Sequence, residues 1–403
     1  MGNPFLSRLI ASRLKFRNGR SFSSNVIRIS ALSIALGTAV LVLSVVIQAG
    51  FRDEINKRIF SFGGHLSLRQ FSSATLYEEQ PLKRNEAFLQ SIRAMPEVIH
   101  IQSFSYKPAL LTNEKEVAGV ILKGIDTDFN RKAFSGNLDS AANNIPSEGG
   151  IWISQKLARK LSLKPGQSIV AFFMQEPPRY RKLRVESLYQ TGLEDVDDNI
   201  AFVSIDLIRE INGWEKETAG GFEVFIRDFS GLEEASHKME GLIPYNMGIE
   251  PITSTHAQLF EWLDVIGRNV LVMFVLVAIV AGFNMAATLL IMVMERRQMI
   301  GILKAMGADD TLIRGIFIRN GLRILLNGLI SGNLIGLGLA FLQWKFKLMP
   351  LDPESYYLSS VPIAWDWIWI PGISVGVLVI SWLVILLPVR MVNRISPAEA
   401  VRS

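Results

Sequence analysis

The chain has 403 residues, 49% of them hydrophobic and 20% charged, with a formal net charge of +5. A mean hydropathy of +0.28 is too apolar for a soluble protein and too polar for one lying wholly in lipid, so a few membrane spans and a folded aqueous domain are expected. The absence of cysteine excludes disulfides, thiolate metal sites and a Cys nucleophile, and His65, His100, His237 and His256 lack the spacing of metal ligands.

Residues 1–28 contain six Lys/Arg and no acid. Phe5, Leu6, Leu9, Ile10 and Leu14 recur there at helical spacing, so an amphipathic helix on the inner membrane surface is expected. Residues 29–51 are free of charge, long enough as a helix for a hydrocarbon core of roughly 30 Å, and show no small-residue cleavage site. They are read as a retained first transmembrane helix. Residues 52–268 follow as an extracytoplasmic α+β domain with stalk helices at its ends.

Strands are expected over 65–69, 98–111, 117–125, 150–154, 168–173, 183–189, 201–204 and 221–227, and helices over 79–94, 155–161, 206–212 and 232–242. The polar stretch 132–147 reads as a loop between two lobes. The acidic run 194–198 reads as a solvated turn rather than a calcium loop, since it lacks the glycine and terminal Glu of an EF-hand. A helix over 255–268, with Leu259, Trp262, Leu263 and Ile266 on one face, should run unbroken into the second span.

Three more charge-free runs cover 269–294, 324–344 and 367–389, which makes four spans. Residues 345–366 form an outer loop with Trp344, Trp365, Trp367 and Trp369 at its ends, and 390–403 an inner tail. Residues 1–28, 295–323 and the tail after Pro388 together carry fifteen basic residues against four acidic, whereas 52–268 carry 25 against 30. That asymmetry places both termini inside and the large domain outside. The basic excess reports orientation and contact with anionic lipid, not nucleic acid. Gly328, Gly332, Gly336 and Ala340 in the third span, with Gly372 and Gly376 in the fourth, are expected at helix packing faces.

The stretch 295–323 organises the rest. Glu295, Arg296, Arg297, Gln298, Met299, Ile300, Gly301, Ile302, Leu303, Lys304, Ala305 and Met306 read as a short amphipathic helix, with Met299, Ile302, Leu303 and Met306 on one face. Gly307, followed by Ala308, supplies its stop, and Asp309 or Asp310 offers the N-cap of the next helix. Lying between two spans, this helix suits contact with a soluble partner. There is no phosphate loop, nucleophile elbow, zinc motif or dinucleotide fingerprint, and no span has an interior ionisable residue. Energy for transport must come from outside the chain. A hairpin over 173–182 presents Met174, Gln175, Pro177, Pro178, Arg179 and Tyr180 at its tip, a composition found both at contact surfaces and in ordinary turns.

With these residues in place, the chain resembles the lipoprotein-releasing (Lol-type) permeases, within the wider superfamily of MacB-like and FtsX-like ABC permeases. The resemblance rests on Gly50-Phe51-Arg52-x-Glu54, Phe62-Gly63-Gly64-His65-Leu66, Lys123-Gly124-Ile125-Asp126, Ile300-Gly301-x-Leu303-Lys304-Ala305-Met306-Gly307-Ala308, Tyr356-Tyr357-Leu358 with Val361-Pro362, and Ser396-Pro397-Ala398-Glu399-Ala400. It implies a four-helix membrane protein with a MacB-like periplasmic core domain in the bacterial inner membrane, working as a homo- or heterodimer. It also implies a cytoplasmic ABC ATPase dimer on the 295–308 segment, which uses ATP and Mg while this chain binds no cofactor of its own and is not itself an enzyme. The implied cargo is a lipoprotein handed to a periplasmic carrier, which docks on the hairpin. Val40, Leu43, Ile47 and Phe51 on the first span, with Val270, Met273, Phe274 and Val277 on the second, are expected to hold its acyl chains. The alternatives are a MacB-like efflux or mechanotransmission permease and an FtsX-like regulator of a cell-wall hydrolase.

Overall fold

The computed structural model describes residues 22–71, 79–113, 116–138, 145–352, 356 and 358–389. It has a membrane unit (Met1–Asp53, Trp262–Pro350 and Ser360–Ser403) and a soluble unit (Glu54–Glu261 and Leu351–Ser359).

The membrane unit is built on four long helices: Phe22–Phe62, Ala257–Glu295, Asp310–Phe346 and Trp369–Val389. Each contains a stretch long and apolar enough to cross a membrane. Helix is the form such segments take, because hydrocarbon offers no partner to a backbone N–H or C=O. Ile34, Leu41, Met285, Leu289, Leu325 and Leu329 fill the space between the helices. Polar pairs add direction to that packing. Ser30 bonds Thr288, Asn284 donates to Ser33 Oγ at 3.0 Å, and Asn333 donates to Ser374 Oγ at 2.9 Å. Residues 1–21 and 390–403, where an amphipathic helix and an inner tail are expected, lie outside the described residues.

In the soluble unit the strands are β1 (Leu66–Gln70), β2 (Leu82–Lys83), β3 (Val98–Thr112), β4 (Val117–Ile125), β5 (Gly150–Ser154), β6 (Ser168–Phe173), β7 (Arg179–Tyr189), β8 (Ile200–Ser204), β9 (Thr218–Ala219), β10 (Gly221–Ile226) and β11 (Met247–Pro251). The main sheet runs β11-β1-β10-β3-β4-β8-β5-β7-β6, and β3 also pairs with β6, closing six strands into a ring. One end of β3 (Val98–Phe104) pairs with β10 and the other (Leu110–Thr112) with β6. The same strand therefore belongs to both lobes. One core gathers Leu111, Leu122, Ile153, Val185 and Val203 with the helices Gln155–Lys160 and Ile205–Asn212. The other gathers Leu66, Leu68 and Val224 with the helices Glu86–Arg93 and Leu232–Glu240.

Where the two pairings of β3 leave a gap, Tyr106 N donates to Glu79 Oε2 at 2.8 Å, and Pro108 has no N–H to satisfy. The helix expected over 79–94 is thus shorter: Glu79 caps this gap, β2 follows, and the helix begins at Glu86 with Asn85 as its N-cap. The expected inter-lobe loop over 132–147 begins instead as the helical turn Arg131–Phe134, which buries Phe134; residues 139–144 lie outside the described residues. The acidic run is no solvated turn. It forms the helix Glu194–Asn199, where Asp197 turns inward to accept from Thr191 N, Thr191 Oγ1 and Gly192 N, while Glu194 and Asp198 pair with Lys156. The helix expected from residue 255 begins at Ala257 and continues to Glu295.

His65, between the first long helix and β1, accepts a hydrogen bond from Ile226 N on Nδ1 at 3.2 Å. Burial pushes its imidazole down to about 4. Between pH 4 and 6.5 the unfolded chain then binds more protons than the folded one, so stability is full above about 6.5 and falls as pH drops toward 4. The loss amounts to at most about 3 kcal/mol for a shift of this size. His65→Asn keeps an acceptor near the Nδ1 position without a titrating group, so thermal unfolding of that variant across pH 4–7 should show a flatter acid limb. His256, also pushed down by burial, should leave a residual slope. An unchanged limb would contradict this account of His65.

Candidate functional site

Between the second and third long helices, Arg297–Ala305 forms a helix of its own. It ends in a Schellman arrangement: Gly307 has φ of +87°, Gly307 N donates to Lys304 O at 3.0 Å, and Ala308 N donates to Leu303 O at 2.9 Å. Asp309 is the N-cap of the next helix, and Lys304 Nζ pairs with Asp310 Oδ1 at 3.0 Å. The apolar residues expected on one face divide between two. Ile300 is fully buried and Leu303 packs on the membrane-unit core, whereas Ile302 is 54% exposed and Met306 78%. Gln298, Ala305 and Glu295 are exposed with them, Arg296, Arg297 and Met299 are half-buried, and Gly301 is buried. The helix thus has two apolar faces, one holding it in place and one left open.

The small residues of the third helix lie against the first. A Cβ on Gly332 would lie 2.5 Å from Ala35 O. One on Gly336 would lie 3.0 Å from Ala39 O, and one on Gly328 would lie 2.8 Å from Ile34 Cγ2. Ala340 packs beside Val46. On the fourth helix Gly376 makes room for the Phe274 ring, but Gly372, expected at a packing face, has nothing within 4 Å. Gly50 approaches the connection between the third and fourth long helices so closely that a Cβ would lie 2.5 Å from Pro362 O. This brings two of the quoted motif segments together.

The soluble unit holds a polar cluster whose linkage the sequence did not disclose. Lys123 on β4 is wholly buried, and its Nζ donates to Glu223 Oε1 on β10 at 2.6 Å and to Phe62 O at 2.5 Å. Gln102 Nε2 on β3 donates to Glu223 Oε2 at 2.7 Å. Burial pulls the Lys123 ammonium down, but Glu223 and Tyr106 outweigh it and hold it above its ordinary value. Close by, burial raises Glu79 to about 7 against the bond from Tyr106 N. Asp126, the last residue of the same motif, pairs with Arg209 at 3.0 Å. The sequence signal was a lone lysine in an otherwise apolar strand. Among the described residues no group of three or more His, Asp or Glu side chains is placed to hold a metal.

Residues 271–397 match the family described as FtsX-like permease C-terminal. The lipoprotein-releasing system transmembrane protein LolE of Haemophilus influenzae is 23% identical over 421 residues, covering 100% of both chains. LolC of Neisseria meningitidis is 25% identical, covering 97% of this chain and 96% of its own. The chain is thus similar over its whole length to Lol-type permeases. Among solved structures, the periplasmic region of MacB from Actinobacillus actinomycetemcomitans aligns with 50% of this chain and 95% of its own length, at 10% identity and a TM-score of 0.34.

In the soluble unit the hairpin joins Phe173 to Arg179 through Met174–Pro178. Gln175 and Arg179 are tied down, both donating to Ile211 O, and Arg181 pairs with Glu210 at 2.7 Å. Met174, Pro177, Pro178 and Tyr180 stay exposed, with the Phe172 and Tyr180 rings 6.0 Å apart. The eight residues expected to hold acyl chains do not form one surface. Phe51 is buried against Trp262, Phe274 fills the space at Gly376, Val277 fills that at Gly37, and Val270 packs on the core. Leu43 and Ile47 are half-buried, and only Val40 and Met273 are exposed. The packing surface of the first helix turns along its length, so a fixed three- and four-residue spacing crosses from one face to another.

The glycine geometry gives a graded test. Gly332→Leu must push two helix backbones apart and should cost about 1–3 kcal/mol or more, read as reduced heat resistance of the full chain in detergent. Gly372→Leu meets open space and should behave as the unsubstituted protein. Equal damage at both positions would contradict the packing described.

Proposed function

We propose that this chain is the permease subunit of an ABC transporter that releases lipoproteins from the outer leaflet of the inner membrane to a periplasmic carrier, driven by a separate cytoplasmic ATPase. The observation that carries the reading is similarity over the whole chain to relatives named for lipoprotein release. The charge asymmetry supports four crossings with both termini inside and the soluble unit outside. The chain has no phosphate loop and no ionisable residue within its apolar runs, so work on a lipid-anchored cargo has to be supplied through a contact. The open face of Gln298, Ile302, Ala305 and Met306 is the surface assigned to the ATPase. The exposed Met174, Pro178 and Tyr180 are assigned to the carrier, and Val40 and Met273 to acyl chains. Each methylene withdrawn from lipid costs about 0.8 kcal/mol, so an acylated cargo does not leave unaided. A second permease subunit completes the transporter.

One cysteine tests orientation and docking together, because the chain has none of its own. Ile302→Cys should be spared by a membrane-impermeant thiol reagent on spheroplasts, labelled in inverted vesicles, and protected there when the ATPase is bound. Labelling from the outer side would overturn the topology. Labelling undiminished by the ATPase would overturn the docking face.

The function itself is tested by depleting the protein and fractionating a mature, acylated outer-membrane lipoprotein. Accumulation in the inner membrane is expected. Normal delivery with a failure of drug efflux or of cell division would transfer the assignment to the MacB-like or the FtsX-like reading.

A further inference from the structure

The first long helix ends at Phe62, and only Gly63 and Gly64 separate it from His65 and β1. A Gly-Gly link has no side chain with which to hold a helix in place and the widest backbone freedom of any dipeptide. Gly64 cannot be otherwise, since a Cβ there would lie 2.8 Å from both Val224 N and Val224 O. The covalent route from helix to sheet therefore has no side chain of its own to hold the helix, and only backbone bonds, Gly63 N to Ile59 O and His65 N to Val224 O, flank it. Beside it the last carbonyls of the helix need partners, and a cation is the favoured one at this pole of the helix dipole.

Lys123 supplies it. Its ammonium sits between Phe62 O at 2.5 Å and Glu223 Oε1 at 2.6 Å. Its Nζ is 5.7 Å from the Phe62 ring centroid and 5.8 Å from that of Phe104. On β3, Tyr106 is the register partner of Lys123 and Gln102 that of Glu223. The ion pair thus reaches across β3 from β4 to β10 and grips three neighbouring strands at the helix end. Gln102 fixes the second oxygen of Glu223, and its own Oε1 accepts from Asn130 N at 2.7 Å. Lysine is rarely found without any exposure, and a buried charge persists only where paired and hydrogen-bonded.

We propose that Lys123 is a positioning residue: with Glu223 it anchors the C-terminal end of the first long helix to the β10-β3-β4 strands, so that a load on the helix enters the sheet through this clasp and not through the Gly-Gly link. Its purpose rests on the reading of the chain as a motion-transmitting permease; its existence does not.

The test is amide hydrogen exchange on the full chain in detergent. In K123M/E223L both charges are replaced by apolar groups, an exchange that leaves many folds intact. Amides of residues 59–63 should exchange at least about tenfold faster, while those of β3 and β4 stay within about twofold of the unsubstituted protein. E223Q keeps the volume and an acceptor, and should give a smaller rise confined to the same residues. It also serves if the double variant does not accumulate. Helix-end protection unchanged in either folded variant overturns the proposal. So does loss of protection in helix end and sheet together in both variants, which would make the pair an ordinary support of the fold. Failure of the lipoprotein-fractionation test with selective exchange intact would remove the cargo assignment and leave the anchor standing.

Discussion

Long helices must end, and each end leaves carbonyls with no partner inside the helix. In this chain the way each end is satisfied decides what lies next to it. In the helix Phe22–Phe62 the terminal carbonyl accepts from a buried lysine, so the helix ends on a side chain of β4. The short helix Arg297–Ala305 closes on itself through Gly307, which lets Asp309 cap the next helix two residues later. The helix Asp310–Phe346 ends with Lys347 in the left-handed region, its N–H on Gln343 O, while the Gln343 side chain donates to Val361 O and accepts from Met349 N. One glutamine thus holds both ends of the connection between the third and fourth long helices.

Much of this was legible in the sequence for one reason: hydrocarbon tolerates so little. Runs without charge, glycines at four-residue spacing and a Gly-Ala-Asp-Asp stop each have few other uses. Strands rich in Val, Ile and Phe were equally plain, but Met247–Pro251 escaped because it has one β-branched residue and carries a Gly and a Pro, both poor strand formers. The single apolar face expected of Arg297–Ala305 is divided for a physical reason. Ile300 and Leu303 serve the core, Ile302 and Met306 face outward, and a helix with two apolar surfaces yields no single stripe. Gly372 and Gly376 are alike in sequence and differ only in whether a ring from another helix arrives. Lys123 stood in a quoted motif, yet Glu223 and Gln102 become its neighbours only through the register of β3.

The surfaces left open have a common pattern. At the hairpin, Gln175, Arg179 and Arg181 are spent on the end of the helix Ile205–Asn212, which leaves Met174 and Tyr180 as the free groups. At the 297–305 helix, Lys304 is held by Asp310 and the apolar Ile302 and Met306 remain. In both places polar side chains fix the element and flexible or aromatic apolar ones face outward. Such a division suits a contact that must form and release, since the anchoring bonds need not change when the partner leaves.

The shared strand β3 bears on how the soluble unit is made. Its two halves complete different lobes, with partners as far off as Gly221 on one side and Val170 on the other. β1 must wait for β11, which enters the sequence some 180 residues later. Neither lobe can finish its sheet alone, so the unit should fold as one cooperative block whose slow step is long-range pairing. Until β10 arrives, one edge of β3 stands open, and a half-made unit is a template for association with its neighbours. Cutting this unit between its lobes would not yield two smaller domains, because the strand at the boundary cannot be divided.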